Sequence, residues 1–144
     1  MTTAIPAPSP RPVPEVTELT RPFWESAARG KLVVQRCVAC AHLRFPPGPV
    51  CTACLDPRAE WHALSGGATV LSHLVFHQGY GAPWSNSLPY SVVMVQLDEG
   101  PRMFSDIDDP EQRWSGADLV GRQVRAWFDP VAAGIAVPRF RVVE

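Results

Sequence analysis

No apolar run of about 18 residues occurs in this 144-residue chain, so the sequence offers no segment that could cross a membrane as a helix. Lysine is almost missing: Lys31 is the single one among 13 basic residues, the rest being arginine. Against 14 acidic residues the net charge is −1, which is not the strongly basic balance of a general nucleic-acid binder. There is no glycine-rich phosphate loop, no G-x-S-x-G and no credible Ser/His/Asp order. Asp106, Asp108 and Asp109 lack the spacing and the glycine of a calcium loop, and read as a solvated turn. The N-terminus has no basic stretch leading into an apolar one, so no secretory signal is expected and the chain is read as cytoplasmic. What is present is 46% apolar and 19% charged, too apolar for a disordered chain. The length suggests one domain or two very small ones.

Three segments are expected. Residues 1–19 are a disordered, Pro-rich tail. Pro6, Pro8, Pro10, Pro12 and Pro14 fall at every second position, and each biases itself and its predecessor toward extended backbone. Residues 20–60 hold a short helix and all four cysteines. Thr20 is placed to cap the helix, Pro22 sits in its first turn and Gly30 supplies its left-handed stop. A helix this short must dock. Phe23 and Trp24 are its anchors, either on the chain's own core or on a partner. Residues 61–144 change character: segments 70–77, 90–97, 102–107, 123–128 and 139–143 have strand lengths and patterns, with a turn or two of helix expected at 115–120. Five short strands with one small helical insert after the third is the order of a five-stranded OB-fold barrel, although a sandwich fragment gives a similar pattern. The fold class is therefore mainly β: a short N-terminal helix, a segment with all four cysteines, then the barrel.

Cys37-x-x-Cys40 and Cys51-x-x-Cys54 are the strongest chemical signal. Each pair turns sharply enough for both thiolates to reach one ion, and two such knuckles make a tetrahedron with arms of about 2.3 Å. Four thiolates suit zinc, or a single rubredoxin-type iron. Disulfides would need an oxidising compartment, and a redox dithiol would be one pair in a βαβ unit. A filled shell leaves no position for water, so the metal is expected to hold structure. His42 beside the first knuckle reads as an exposed neighbour of the shell.

Other candidates carry less. His73 and His77 fall on a strand, about 13 Å apart, too far to share an ion, and are expected to face solvent or ligand, with Leu74 and Phe76 on the other face. The loop 78–89 is long and carries Tyr80 and Trp84, which suggests contact with a partner or ligand. Gly66-Gly67 precedes a strand and is expected to permit a bulge or a tight start to the barrel. A single-stranded nucleic-acid binder is the alternative reading of a ribbon plus OB fold. It requires a basic groove, whereas residues 62–144 carry six arginines and nine acids. The group Arg122, Arg125, Arg139 and Arg141 remains a candidate for phosphate, including that of coenzyme A.

The ordered series Phe23-Trp24, Gly30-Lys31-Leu32, Gln35-Arg36-Cys37-x-x-Cys40, Phe45-Pro46-Pro47, Cys51-x-x-Cys54, Trp61, 65–70 (Ser-Gly-Gly-Ala-Thr-Val), Leu88-Pro89-Tyr90-x-Val92 and Val95-x-Leu97-x-Glu99-Gly100 resembles the DUF35 family over about residues 20–143. That resemblance implies a rubredoxin-like zinc ribbon followed by an OB fold. It also implies a non-catalytic accessory role beside a thiolase-like or lipid-transfer-protein-like enzyme (a thiolase, an acyltransferase or a steroid side-chain aldolase), with acyl-CoA at the shared interface. Cys37, Cys40, Cys51 and Cys54 carry over as the metal ligands. No catalytic residue is assigned to this chain. Phe23, Trp24, Phe45, Tyr80 and Trp84 are the expected partner or ligand contacts. Ala41 and Leu55 stand after the second cysteine of each knuckle, where such knuckles often have glycine.

Overall fold

The computed structural model describes residues 12–81, 88–109, 113–114 and 119–144. One helix, α1 (Arg21–Ala28), precedes eight strands: β1 (Val33–Cys37), β2 (Leu43–Arg44), β3 (Ala59–Ala63), β4 (Gly67–Phe76), β5 (Tyr90–Leu97), β6 (Arg102–Ser105), β7 (Gln123–Ala132) and β8 (Ile135–Val142). Among the described residues no helix is long and apolar enough to cross a membrane.

The helix ends as its sequence dictates. Gly30 takes φ +75°, and its N–H donates to the Ala27 carbonyl while Lys31 donates to the Ser26 carbonyl. This double closure satisfies the last carbonyls of α1. Its start differs from expectation: Thr20 makes no side-chain cap. The Thr20 hydroxyl accepts instead from the Thr17 N–H, and the Thr17 hydroxyl accepts from the Thr20 N–H, so the turn before the helix consumes the capping oxygen.

Strands β2-β1-β3 make a small antiparallel sheet, and β6-β5-β4-β7-β8 make a curled five-stranded sheet. A parallel bridge between Ile107 and Phe140 joins the end of β6 to β8, which curls the sheet into the partly open Greek-key barrel of an OB fold. Phe140, Leu97, Val70, Val93, Val95 and Val124 fill it. Phe23 of α1 and Leu32 and Val33 at the start of the ribbon belong to the same apolar cluster, so ribbon and barrel share one core. Gly66 enters the barrel at φ +87°, and a side chain on Gly67 would run into the Asp98 carboxylate. That is the tight start expected of the pair.

Three departures have physical reasons. First, β3 pairs along its whole length with β1, so residues 61–63 complete the ribbon's sheet. Second, β7 and β8 are longer than the strands expected at 123–128 and 139–143. They form a hairpin about Gly134, whose φ is +73°. Pro130 and Pro138 had masked it. β4 pairs with β7 only through Gln123, Val124 and Arg125, and β8 is paired mainly to β7, so neither proline breaks a ladder on both sides. Third, the register of β4 shifts between Val70 and Ser72. This bulge re-aims every side chain after it. His73 therefore stands opposite buried Val93, on the core face, while Leu74 is turned out. His73 is half-buried with no partner for Nδ1 among the described residues; only His77 is exposed, as expected. Of the helical turn expected at 115–120, residues 115–118 lie outside the described residues, and Leu119 is buried in the core.

Candidate metal centre and contact surfaces

Each knuckle is built by its backbone. The Cys37 carbonyl accepts from the Ala41 N–H and the Cys51 carbonyl from the Leu55 N–H, at 3.0 and 2.9 Å. Cys37 N–H in turn donates to the His42 carbonyl, and Cys51 N–H to that of Asp56. The turn closes only if the residue after the second cysteine is left-handed, and Ala41 (φ +64°) and Leu55 (φ +67°) both are. These are the two positions where glycine is absent. Backbone N–H groups also point at sulfur: Cys40 N–H at Cys37 Sγ and Ala53 N–H at Cys51 Sγ, at 3.5 and 3.3 Å.

The four Sγ atoms lie within 4.8 Å of one another. Cys37 Sγ and Cys54 Sγ are 3.5 Å apart, and Cys40 Sγ and Cys51 Sγ 3.6 Å. A tetrahedron with zinc–sulfur arms of about 2.3 Å has edges of about 3.8 Å, so the cage fits one ion. All four cysteines are free, and both of these close pairs join one knuckle to the other. Burial opposes ionisation of Cys51, but the N–H groups of Cys54 and Ala53 and the neighbouring thiols outweigh it and bring that thiol down to about 6. At Cys54 the Asp56 N–H favours the thiolate, but Cys37, burial and the other two sulfurs push the thiol up to about 12. Four sulfurs this close do not all ionise without a cation among them, and a divalent metal is what this donor set accommodates. His42 is exposed and lends only its carbonyl.

The Phe45-Pro46-Pro47 motif follows from a neighbouring device that the sequence did not disclose. Gln35 and Arg44 are paired across β1 and β2 and both are buried. Gln35 Oε1 accepts from Arg44 Nε at 2.9 Å and from the Gly48 N–H at 2.8 Å, while Arg44 Nη2 donates to the Gly48 carbonyl at 3.1 Å. These bonds pin both ends of the motif and set the Phe45 ring 5.5 Å from that of Phe23.

The expected contact residues divide. Phe23 is buried and lies in the shared core, so it serves this chain's own packing and is not a surface anchor. Trp24 and Phe45 are half-buried against that core. Tyr80 is 67% exposed and sits edge-on to Phe76, which stacks on Tyr90. Trp84 lies outside the described residues. Leu74 and Phe104, also more than half exposed, join this outer face. The bulge in β4 hid Leu74 from a reading that assumed unbroken alternation.

The arginine group does not form an open phosphate site. Arg139 pairs with Asp106 at 2.5 Å and Asp129 at 3.3 Å, and Arg141 with Asp108 at 2.8 Å. Both guanidinium groups lie over Trp127. Arg122 stacks on Trp114, and Arg125 donates to the Ser65 carbonyl. The aspartates read as a solvated turn are therefore the counter-charges of the barrel seam, and Asp109 accepts from the N–H groups of Arg113 and Trp114.

A four-cysteine ribbon sharing a core with an OB barrel defines a two-part zinc-ribbon/OB class of protein. Residues 24–59 match the family model described as the ChsH2 rubredoxin-like zinc ribbon domain, and residues 61–129 that of the ChsH2 C-terminal OB-fold domain. The chain belongs to the DUF35/ChsH2 family. It is similar to a solved chain of an "Ltp2-ChsH2(DUF35) aldolase", with TM-score 0.76 and 28% identity, covering 90% of this chain and 98% of that one. It also shares its fold with a DUF35-family protein of unknown function from Sulfolobus solfataricus, at TM-score 0.58 and 16% identity over 89% of this chain and 87% of that one. Among curated proteins it is 34% identical over 99 residues to a probable enoyl-CoA hydratase alpha subunit of Thermomonospora curvata, covering 67% of this chain and 30% of the relative. It is 30% identical over 88 residues to a DUF35 domain-containing scaffold protein of Pyrococcus furiosus, covering 58% of this chain and 64% of the relative. The chain thus spans about a third of the first of these relatives and under two thirds of the second.

Proposed function

We propose that this chain is a non-catalytic accessory subunit of a thiolase-like acyl-CoA enzyme, acting in the cytoplasm, that stabilises its partner and helps enclose the acyl-CoA thioester. The observation that carries this reading is the likeness to the DUF35 chain of the Ltp2-ChsH2 aldolase, which extends over nearly all of that chain. The similarity to a hydratase subunit supports the acyl-CoA setting. The partner is a thiolase or lipid-transfer-protein-like subunit, and the reaction an aldol cleavage or acyl transfer carried out by that partner's residues.

The chain's own residues supply shape. Cys37, Cys40, Cys51 and Cys54 would hold zinc, which contributes a fixed tetrahedral crosslink and has no position left for water. That crosslink sets β1, whose Gln35 fixes the 45–48 segment beside α1. Trp24 and Phe45 are thereby displayed from a rigid base, as a docking surface requires, and Tyr80 stands beside Phe76 on the barrel. The test is co-expression with a thiolase-like protein from the same source, followed by affinity capture and assay of acyl-CoA cleavage. A stoichiometric complex with higher turnover than the partner alone supports the reading. Failure to associate overturns it, as does turnover by this chain alone.

A further inference from the structure

Arg44 is a buried cation with no carboxylate beside it. The residue is 5% exposed, and a guanidinium stays charged at any pH the fold survives. Its Nε donates to Gln35 Oε1 and its Nη2 to the Gly48 carbonyl, both of them neutral acceptors. Its Nη1 is buried and has no partner among the described residues. A charge taken out of water is costly unless an opposite charge faces it.

The acids of the ribbon are engaged elsewhere. Residues 24–63 contain three, Glu25, Asp56 and Glu60. Glu25 is exposed on α1. Glu60 stands 3.7 Å from Arg36. Arg58 faces Cys37 and Cys54, but Asp56 takes its Nε and Nη2 at 3.1 and 2.9 Å, so that pair is neutral as a whole.

What remains is the cage itself. Four thiolates around one divalent ion carry a double negative charge. Arg44 is tied to the approach of each knuckle: Gln35 is two residues before Cys37, and Gly48 three before Cys51. Alternate residues of a strand share a face, so Gln35 and Cys37 project to the same side of β1. Arg44, paired with Gln35 from β2 and bonded to its side chain, stands on that side as well.

We propose that Arg44 is the counter-charge of the metal-loaded cage. It is a positioning residue, held by Gln35 and Gly48, that favours the dianionic metal–tetrathiolate through its field without touching the ion.

The test uses the full chain loaded with iron in place of zinc. Reduction from ferric to ferrous iron takes the cage from one negative charge to two, so the reduction potential reads the field at the metal. Arg44→Met removes the charge at similar length, Arg44→Lys keeps the charge but loses the fork that grips Gln35 and Gly48, and Arg36→Met removes a charge already paired with Glu60. The potential should fall in Arg44→Met and stay at the parent's value in the other two. Zinc affinity, measured by chelator competition on the zinc-loaded forms, should drop about 10–100-fold in Arg44→Met and less than about threefold in Arg44→Lys. An unmoved potential in Arg44→Met overturns the proposal. So does an equal loss of zinc affinity in the methionine and lysine variants, which would make Arg44 a clamp and nothing more. If Arg44→Met does not fold, Arg44→Lys decides: parental potential and affinity support the counter-charge, and a loss of either overturns it.

Discussion

Replacing Leu55 with glycine is expected to stabilise the zinc-loaded protein. Leu55 holds φ +67° with its side chain 72% exposed, so truncating it removes little buried apolar area. A side chain in the left-handed region costs about 1–2 kcal/mol relative to the right-handed one. Glycine removes that cost, but the more flexible unfolded chain takes back about 0.5–1 kcal/mol. The balance is a gain of about 0.5–1 kcal/mol, a rise of about 1–4 °C in melting temperature for a chain of this size. Urea and thermal unfolding at fixed zinc occupancy measure it, with Leu55→Ala as the control. Alanine keeps the Cβ and the same backbone cost, so it should fall within about 0.5 kcal/mol of the parent. Ala41→Gly, in the other knuckle, should behave as Leu55→Gly does. If Leu55→Gly is no more stable than Leu55→Ala, the left-handed closure is not what the knuckle requires and the reasoning fails.

Cys51→Ser removes a buried corner of the cage and should abolish stoichiometric zinc, read by elemental analysis, and the thiolate-to-metal absorption of a cobalt-substituted sample. Metal should be retained at neutral pH and lost on acidification, because protons compete with the ion for the four thiolates; release followed with a zinc dye should rise as pH falls. Gln35→Ala leaves the Arg44 Nε and the Gly48 N–H without their acceptor. It should cost about 2–3 kcal/mol in urea unfolding, whereas an exposed substitution such as Glu15→Ala should cost almost nothing. Phe140→Ala empties the centre of the barrel and should cost about 3–5 kcal/mol by the same measurement.

The sequence was most informative where chemistry forces a spacing. Two C-x-x-C pairs can converge on one ion with little else specified, and Gly30, Gly66 and Gly67 mark backbone that other residues resist. The strand count of the barrel was legible from period-two patterning. The hairpin about Gly134 was not, because Pro130 and Pro138 read as breaks until it is known that each lies on an edge free of ladder bonds. Nor was the inside-out turn of Leu74 and His73, since a one-residue bulge leaves no compositional mark and swaps the faces of the residues that follow it. The pairing of Arg139 and Arg141 with Asp106, Asp108 and Asp129 joins residues about 10 to 33 positions apart, a distance at which a charge run looks merely solvated. Gln35 and Arg44 look like ordinary polar residues of a ribbon. Only the fold shows that they are buried and hold the 45–48 segment in place.

Native mass spectrometry of the chain co-expressed with a thiolase-like acyl-CoA subunit tests the account most directly. A complex of defined stoichiometry carrying one zinc per copy of this chain, with catalysis abolished by disabling the partner's active-site residues alone, is the expected result. Two separate species, or cleavage that survives loss of the partner's active site, would contradict it.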